Sequence, residues 1–172
     1  MEGKYKPECK CVIEQFKRYR KIYDPKKRCR WKRAMGAKLE LDVVGEALRR
    51  MGLLHQFMYC PNGKVDWIWV REGWEFECKN LEKEKYVPIA WLYDEVVSRF
   101  SENAKRKVLV ITKDCWSPVA DVFLEMHGID VIVVGSISRR RFYERAIRRF
   151  EEGFLDLVRK AATEKVMIVE RN

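Results

Sequence analysis

Charged side chains that could do chemistry alternate along one short segment, WEFECK at residues 74–79. Successive side chains of a β-strand point to opposite faces, so Glu75, Glu77 and Lys79 would share one face and the apolar residues the other. Two acids and a lysine in a row are an unusual choice for a purely structural strand. The alternative is a solvated strand face with cross-strand ion pairs, which accounts for Lys79 equally well.

A third acid, Asp66, lies within the otherwise apolar segment that precedes this strand. The two segments, residues 65–70 and 74–79, are separated by REG at 71–73, which is a hairpin-length connection. Pairing in a hairpin would bring Asp66 near Glu77 or Glu75. A solvated charged face does not explain an aspartate inside an apolar strand, whereas a shared site does.

Carboxylates that converge in this way repel each other unless a cation neutralises them. Hard oxygen ligands with few demands on geometry suit Mg²⁺ or Mn²⁺ rather than zinc. A divalent ion of this kind polarises a phosphodiester and makes hydroxide available near neutral pH. Lys79 would orient the attacking water or stabilise charge on the transition state. The pattern therefore indicates phosphodiester hydrolysis.

Hydrophobic periodicity predicts the elements that would position these residues. Helices are expected at residues 37–51, 88–104, 117–127 and 140–162, and strands at 54–60, 65–70, 74–79, 107–112 and 130–134, with 165–170 as a last edge strand. Ser117 and Pro118 give a clear helix start. This order predicts an α/β fold with a mixed central sheet flanked by helices, in which a hairpin comes first and parallel strands follow.

The motif Asp66-x10-Glu77-Cys78-Lys79 resembles the D…(D/E)-x-K signature of the PD-(D/E)XK nuclease superfamily. The order of predicted elements over residues 36–135 is similar to the core of that family, and VLVIT at 108–112, SPVA at 117–120 and GIDV at 128–131 are similar to the end of Mrr-type restriction endonucleases. The resemblance implies a restriction-endonuclease-like core that uses Mg²⁺ or Mn²⁺. It also implies that Asp66, Glu77 and the backbone carbonyl of Cys78 bind the metal, with Lys79 beside the water. Val65 stands where the family often has proline.

Archaeal Holliday-junction resolvases begin with a glycine followed by a helical glutamate, and Gly36 and Glu40 resemble that pair. The resemblance implies that Glu40 is an additional acid of the active site. Glu46, on the same helix, is the competing candidate. Glu40 shares the apolar face of Val44 and Ala47, which would point it toward the sheet, whereas Glu46 lies further round the helix.

The net charge of +10 belongs to the N-terminal segment. Residues 1–38 contain 14 Lys or Arg and four Asp or Glu, while the remainder contains 22 of each kind. A basic arm on a neutral domain is typical of proteins that approach a polyanion. A solubilising tail and a docking segment for an acidic protein are the alternatives. We therefore divide the chain into a basic helical arm, residues 1–35, and a nuclease domain, residues 36–172. The expected phosphate contacts of the arm are Lys17, Arg18, Arg20, Lys21, Arg30, Lys32 and Arg33.

Two further features have more than one interpretation. The arginines at positions 139–149 are either a solvated helix face or a second phosphate-contacting surface. Cys9, Cys11 and Cys29 either hold zinc, form a disulfide or remain plain thiols, and plain thiols are the favoured interpretation.

The chain shows no apolar run long enough to cross a bilayer and no signal peptide, so we expect an intracellular, nucleoid-associated protein without a membrane partner. A composition with 36% charged residues leans toward a thermophile.

These features favour a metal-dependent DNA endonuclease with Glu40, Asp66, Glu77 and Lys79 as its catalytic residues. The small size and the lack of a motor or specificity domain favour a structure-selective or resolvase-like enzyme that acts as a homodimer, with an Mrr-type restriction role as the alternative. A non-catalytic nucleic-acid-binding protein on the same fold and an RNA-directed nuclease are the remaining alternatives.

Overall fold

The computed structural model describes residues 36–169, which form a five-stranded mixed sheet with helices on both faces. The strands β1 (Phe57–Tyr59), β2 (Trp67–Trp69), β3 (Trp74–Lys79), β4 (Arg106–Ile111) and β5 (Ile129–Val133) lie in that order across the sheet. β1, β2 and β3 are antiparallel neighbours, while β3, β4 and β5 run parallel. The expected α/β class and mixed sheet are therefore confirmed.

Four helices cover the sheet. The first, α1, is π-helical over Lys38–Gly45 and α-helical over Glu46–Arg50. It is followed by α2 (Ile89–Glu95), α3 (Pro118–Met126) and α4 (Tyr143–Val169). Short 3₁₀ turns occupy Leu54–Gln56, Val97–Arg99 and Arg140–Phe142. No helix between residues 36 and 169 combines the length and the apolar character that a membrane span requires.

One face of the sheet packs against α1 and α4 through a cluster of aromatic rings. The ring of Phe57 stacks on Trp69 with 5.3 Å between centroids, and Phe154 of α4 lies 5.3 Å from Trp69 and 6.1 Å from Phe76. Trp67 is fully buried in the same layer. Aromatic pairs at this spacing add to the free energy of burying each ring. The tryptophans of β2 are therefore core residues.

The opposite face packs against α2 and α3 through aliphatic side chains. Leu109 and Ile111 of β4 meet Leu92 of α2 and Leu124 of α3, and all four are buried. Ser117 takes the N-cap position of α3 with extended backbone and is followed by Pro118 at the first helical position, as predicted. The Ser117 side chain makes no capping hydrogen bond.

Several predicted boundaries need correction. The strand expected at 54–60 begins with a 3₁₀ turn and is extended only over Phe57–Tyr59. The helix expected at 88–104 ends at Glu95, because Val96 leaves the helical region with φ −124° and ψ −64°. Beyond it, the N–H and hydroxyl of Ser101 donate hydrogen bonds of 2.8 and 2.5 Å to the Glu75 carboxylate, which holds the chain against β3.

The edge strand expected at 165–170 is wrong, because α4 continues as a helix through Val169. Ion pairs connect this part of the helix to the sheet: Lys165 lies 3.6 Å from Glu72 in the β2–β3 connection, and the preceding residue, Glu164, pairs with Arg106 of β4 at 2.5 Å.

The N-terminal predictions fall outside the described residues. They are the helical arm of residues 1–35, its phosphate-contacting residues Lys17, Arg18, Arg20, Lys21, Arg30, Lys32 and Arg33, and the cysteines Cys9, Cys11 and Cys29. The division between arm and domain stays a prediction.

Candidate active site

Asp66 sits at the entrance of the β2–β3 hairpin, where the register pairs Trp67 with Phe76. The Asp66 N–H donates to the carbonyl of Phe76 at 3.0 Å. Its carboxylate turns along the sheet and accepts the backbone N–H of Cys78 at Oδ2, 2.7 Å away. Of the two neighbours left open by the sequence, Asp66 therefore lies beside Glu77, because Glu75 pairs with Ile68.

Glu77 and Lys79 project from the face of β3 opposite the aromatic core. Trp74, Phe76 and Cys78 are buried in that core, as the alternation predicts. The Lys79 ammonium lies 2.7 Å from Glu77 Oε1. Glu77 is itself only 3% exposed, and its second oxygen, Oε2, is buried without a hydrogen-bond partner in the described part of the chain. A buried carboxylate oxygen without a donor is costly, so this position can accept a further donor or a cation.

Glu40 reaches the same end of the sheet from α1. Tyr59 of β1 donates its hydroxyl to Glu40 Oε2 at 2.5 Å, and the indole N–H of Trp67 donates to the Glu40 backbone carbonyl at 3.1 Å. A Cβ placed on Gly36 would lie 3.5 Å from Glu40 Oε1, so the glycine lines the carboxylate. The π-helical segment Lys38–Gly45 carries Glu40 into this position, and π-helical geometry is rare and frequently found at functional sites.

Glu46 points away from this end of the sheet. Its carboxylate pairs with Arg49 at 2.7 Å and with Arg50 at 3.0 Å on the protein surface. The hydrogen bond from Arg49, with a smaller contribution from Arg50, lowers the pKa of Glu46 to about 2. We refer to Glu40, Asp66, Glu77 and Lys79 as the acid–lysine cluster, and Glu46 is not part of it.

Burial raises the pKa values of all three acids in the cluster, and repulsion by Asp66 adds to the effect for Glu40 and Glu77. Burial, followed by the charge of Asp66, raises the pKa of Glu40 to about 8 and that of Glu77 to about 7. Burial raises the pKa of Asp66 to about 6, against the hydrogen bond from the Cys78 N–H. Glu40 and Glu77 thus resist ionisation while Asp66 is charged, and a bound cation would offset that repulsion.

The Cys78 side chain is on the wrong face to join the cluster. Its thiol is buried in the aromatic layer, and burial raises its pKa well above the usual value. A neutral buried thiol is a poor metal ligand, because the thiolate is the binding form. Only the backbone of Cys78 faces Asp66, and the role expected for its carbonyl stays a prediction.

Sequence reasoning missed three residues that surround the cluster. Tyr59 binds Glu40, Glu95 of α2 lies 3.9 Å from the Lys79 ammonium, and Arg99 pairs with Glu95 at 3.1 Å. The charge of Arg99 also lowers the pKa of Asp66 and Glu77. Glu95 and Arg99 show the i, i+4 spacing of a helical ion pair, but that spacing does not reveal which face meets the sheet.

The oxygen atoms of the cluster suit a hard divalent cation bound through few protein ligands. The described residues contain no group of three or more His, Cys, Asp or Glu side chains arranged to hold a metal ion. Each carboxylate instead has its own partner: Tyr59 for Glu40, the Cys78 N–H for Asp66 and Lys79 for Glu77. Mg²⁺ characteristically keeps several waters and binds through one or two carboxylates, so Asp66 with the open oxygen of Glu77 fits it.

Comparison with known proteins gives no match: no family model, no curated protein and no solved structure matches this chain.

Proposed function

We propose that the chain is a metal-dependent DNA endonuclease of the PD-(D/E)XK type that hydrolyses phosphodiester bonds. The observation that carries the proposal is the junction of two strands: the N–H of Cys78 binds the Asp66 carboxylate, and its neighbours on β3, Glu77 and Lys79, face the same end of the sheet. Two acids and a lysine meet there from positions 11 and 13 residues apart in the chain.

Asp66 and Glu77 would hold Mg²⁺ or Mn²⁺, with the backbone carbonyl of Cys78 as a further ligand. The ion would polarise the phosphodiester and supply hydroxide near neutral pH. Oxygen donors favour these ions over zinc, since both histidines are exposed and the Cys78 thiol is turned away. Glu40 would support the metal directly or through water.

Lys79 would serve the attacking water or the charge that develops on the phosphorus oxygens. Its ammonium is already directed at the cluster by Glu77 at 2.7 Å and by Glu95 at 3.9 Å. A donor that is held in place before the reaction costs no reorganisation when charge develops. Glu95, the second carboxylate near the Lys79 ammonium, is itself held by an ion pair with Arg99.

The element order of the sheet supports the proposal independently of the motif. The helix that carries Glu40 comes first, the hairpin with Asp66 and Glu77 follows, and helices alternate with the parallel strands β4 and β5 after that. This is the order that the resemblance to the PD-(D/E)XK core leads us to expect. Within that class, a structure-selective or resolvase-like activity remains the favoured substrate preference, ahead of an Mrr-type restriction role.

A non-catalytic nucleic-acid-binding protein on the same fold is the second candidate. The observation in its favour is that every acid of the cluster already has a hydrogen-bonding or ionic partner within the chain. The two candidate functions make different predictions: only the nuclease would cleave bound DNA when divalent ions are added.

Incubation of purified protein with supercoiled plasmid tests the proposal. We expect nicked and linear products with Mg²⁺ or Mn²⁺ and none when EDTA is present. A panel of junction, flap, single-stranded and linear DNA, with matched RNA, then identifies the preferred substrate. Binding without cleavage under every metal condition would leave the non-catalytic candidate. The expected homodimer stays a prediction that sedimentation measures.

A further inference from the structure

A second concave surface lies beside the acid–lysine cluster, at the carboxyl ends of the parallel strands. It is a groove of about 830 Å³ lined by the segments that follow β3, β4 and β5 and by the neighbouring helices. Its basic and polar lining includes Lys38, Asn80, Lys113, Ser136, Ser138 and Arg149. We call it the strand-end groove.

Arg149 of α4 reaches into the groove over the backbone of Gly135. A Cβ placed on Gly135 would lie 2.7 Å from Arg149 Nη1 and 4.0 Å from Arg145 Nη2, so a larger residue would force the Arg149 guanidinium to move. Gly135 also has φ +86°, a conformation that L side chains rarely adopt. The glycine after β5 therefore makes room for arginine side chains at the end of the sheet.

Neither Arg145 nor Arg149 forms an ion pair with any described acid. Other arginines of the described residues do have such partners: Arg50, Arg106 and Arg159 each lie within 3.0 Å of a carboxylate. Arg145 instead packs over the ring of Phe142 at 5.0 Å. Two exposed guanidinium groups that lack acidic partners and converge on one glycine are suited to an anion from outside the chain.

The remaining lining of the groove is compatible with a phosphate. Ser136 and Ser138 place their hydroxyls 3.0 Å apart, and the Lys113 ammonium is fixed at 2.6 Å by the backbone carbonyl of Glu84. Two acids, Glu82 and Glu84, also line the groove, against the four basic residues Lys38, Lys83, Lys113 and Arg149. The Glu82 carboxylate accepts the N–H of Ile137. Hydroxyl and ammonium donors thus lie in the same groove as Arg149.

The groove and the cluster occupy the same edge of the sheet. The register pairs Lys79 with Ile111 and Ile111 with Val133, so β3, β4 and β5 end level with one another. Neighbouring strands lie about 4.8 Å apart, which puts the end of β5 about 10 Å from that of β3. A DNA strand advances about 3.4 Å along the helix axis per phosphate, so a few consecutive phosphates could span the cluster and the groove.

We infer that the strand-end groove binds the phosphodiester backbone of DNA beside the cleaved bond, with Arg149 as its principal contact. The inference rests on the proposed function, because it assigns this groove to the substrate of the neighbouring site. It places a phosphate contact on the body of the domain, in addition to the one expected from the basic arm.

Binding of a short DNA duplex by Arg149→Gln, measured by fluorescence anisotropy over a range of salt concentrations in EDTA, tests the inference. Removal of one phosphate contact should lower the salt slope of log K by about 0.9. Arg159→Gln is the matched control, because it removes the same charge from the same helix at a residue that already pairs with Asp156 at 2.9 Å. Its slope should equal that of the wild type.

Equal slopes for Arg149→Gln and Arg159→Gln would overturn the inference, as would binding of an RNA duplex but not of DNA. Equal slopes would not contradict the proposed function if the wild type still nicks plasmid DNA. A wild type that binds DNA without cleaving it would instead remove the proposed function, and the slopes would still decide whether the groove binds phosphate.

Gly135→Ala provides a second and structurally different test. The added Cβ should displace Arg149 and weaken DNA binding, while in the Arg149→Gln background the same substitution should cost little more affinity. Such non-additivity is the mark of two residues that act through one contact. Additive effects would show that Gly135 does not act by seating Arg149. Thermal unfolding of each variant separates loss of the fold from loss of binding.

Discussion

The hydroxyl of Tyr59 donates a 2.5 Å hydrogen bond to Oε2 of Glu40 and joins the first helix to the first strand at the acid–lysine cluster. Tyr59 is buried, with its ring centroid 4.8 Å from that of Trp67. The indole of Trp67 in turn holds the Glu40 backbone. One carboxylate is thus oriented through both its side chain and its main chain.

Removing this hydroxyl should impair catalysis more than folding. Tyr59→Phe keeps the ring in the core, and loss of a partner that orients a site carboxylate typically costs about 10- to 100-fold in activity. We expect that loss in single-turnover cleavage, with DNA binding retained. Tyr93→Phe is the matched control, since Tyr93 is exposed and its ring lies beside that of His127. Equal rates for the two variants would mean that the Tyr59 hydroxyl has no role in the reaction.

Substitution of Glu40 should lower the cleavage rate much more than substitution of Glu46, although both residues lie on the same helix. Glu40→Gln removes a charge that faces Asp66 and Glu77, so cleavage should fall by at least about 10-fold. Glu46→Gln removes a surface partner of Arg49 and Arg50, and exposed pairs of this kind contribute little. Matched single-turnover assays measure both, and the opposite ranking would show that Glu46 is the functional acid.

Metal-free protein should become less stable as pH rises from about 5 to about 8. The pKa of Glu77 is raised to about 7 in the folded chain, so its protonated form favours folding. The stability that protonated Glu77 adds is fully present below about pH 4. It is lost as the pH rises through the pKa of Glu77 in the folded chain. Asp66, at about 6, and Glu40, at about 8, act in the same direction. Thermal unfolding in EDTA between about pH 5 and pH 8.5 measures the loss.

Glu77→Gln isolates this effect, because glutamine does not titrate. The Tm of the wild type minus that of the variant should become more negative as pH rises through about 7. Mg²⁺ should reduce the wild-type loss, since a cation stabilises the ionised acids and its binding releases protons. A difference in Tm that stays constant over this range would contradict the raised pKa of Glu77.

The basic arm should contribute to DNA affinity through charge alone. Replacing Lys17, Arg18, Arg20 and Lys21 with glutamine spares the neighbouring apolar residues, and the salt slope of log K should fall by about 0.9 for each phosphate that the variant no longer neutralises. The weakening should be the same for all sequences, because phosphate contacts carry no sequence information. An unchanged slope would mean that these four residues do not contact phosphate, and would make the strand-end groove the leading candidate.

Much of the fold follows from local patterns in the sequence. The bounds of β3, Trp74–Lys79, match the prediction, because strict alternation places Phe76 in the core and Glu77 opposite it. The end of α4 does not follow from such patterns. The segment from Lys165 onward resembles a strand locally, and the pairing of Arg106 with Glu164 that holds it as a helix depends on tertiary structure.

In the candidate site, too, some features follow from local sequence patterns and others depend on tertiary structure. Asp66 and Glu77 come together through a hairpin whose short connection is visible in the sequence. Tyr59 and Arg99 were not predicted, since each contacts the cluster only after distant elements have packed against the sheet. The π-helical geometry around Glu40 was also missed, because apolar spacing does not distinguish a π-helix from an α-helix over two turns.

A comparison of Glu77→Gln with Glu75→Gln tests the central claim most directly. Both acids are on one face of β3, two residues apart, but Glu75 is bound to Ser101 and Glu77 belongs to the acid–lysine cluster. We predict that Glu77→Gln binds DNA and yields no cleavage product with Mg²⁺ in a single-turnover assay, while Glu75→Gln cleaves near the wild-type rate. Cleavage by Glu77→Gln at the wild-type rate would contradict the assignment of this cluster as the active site.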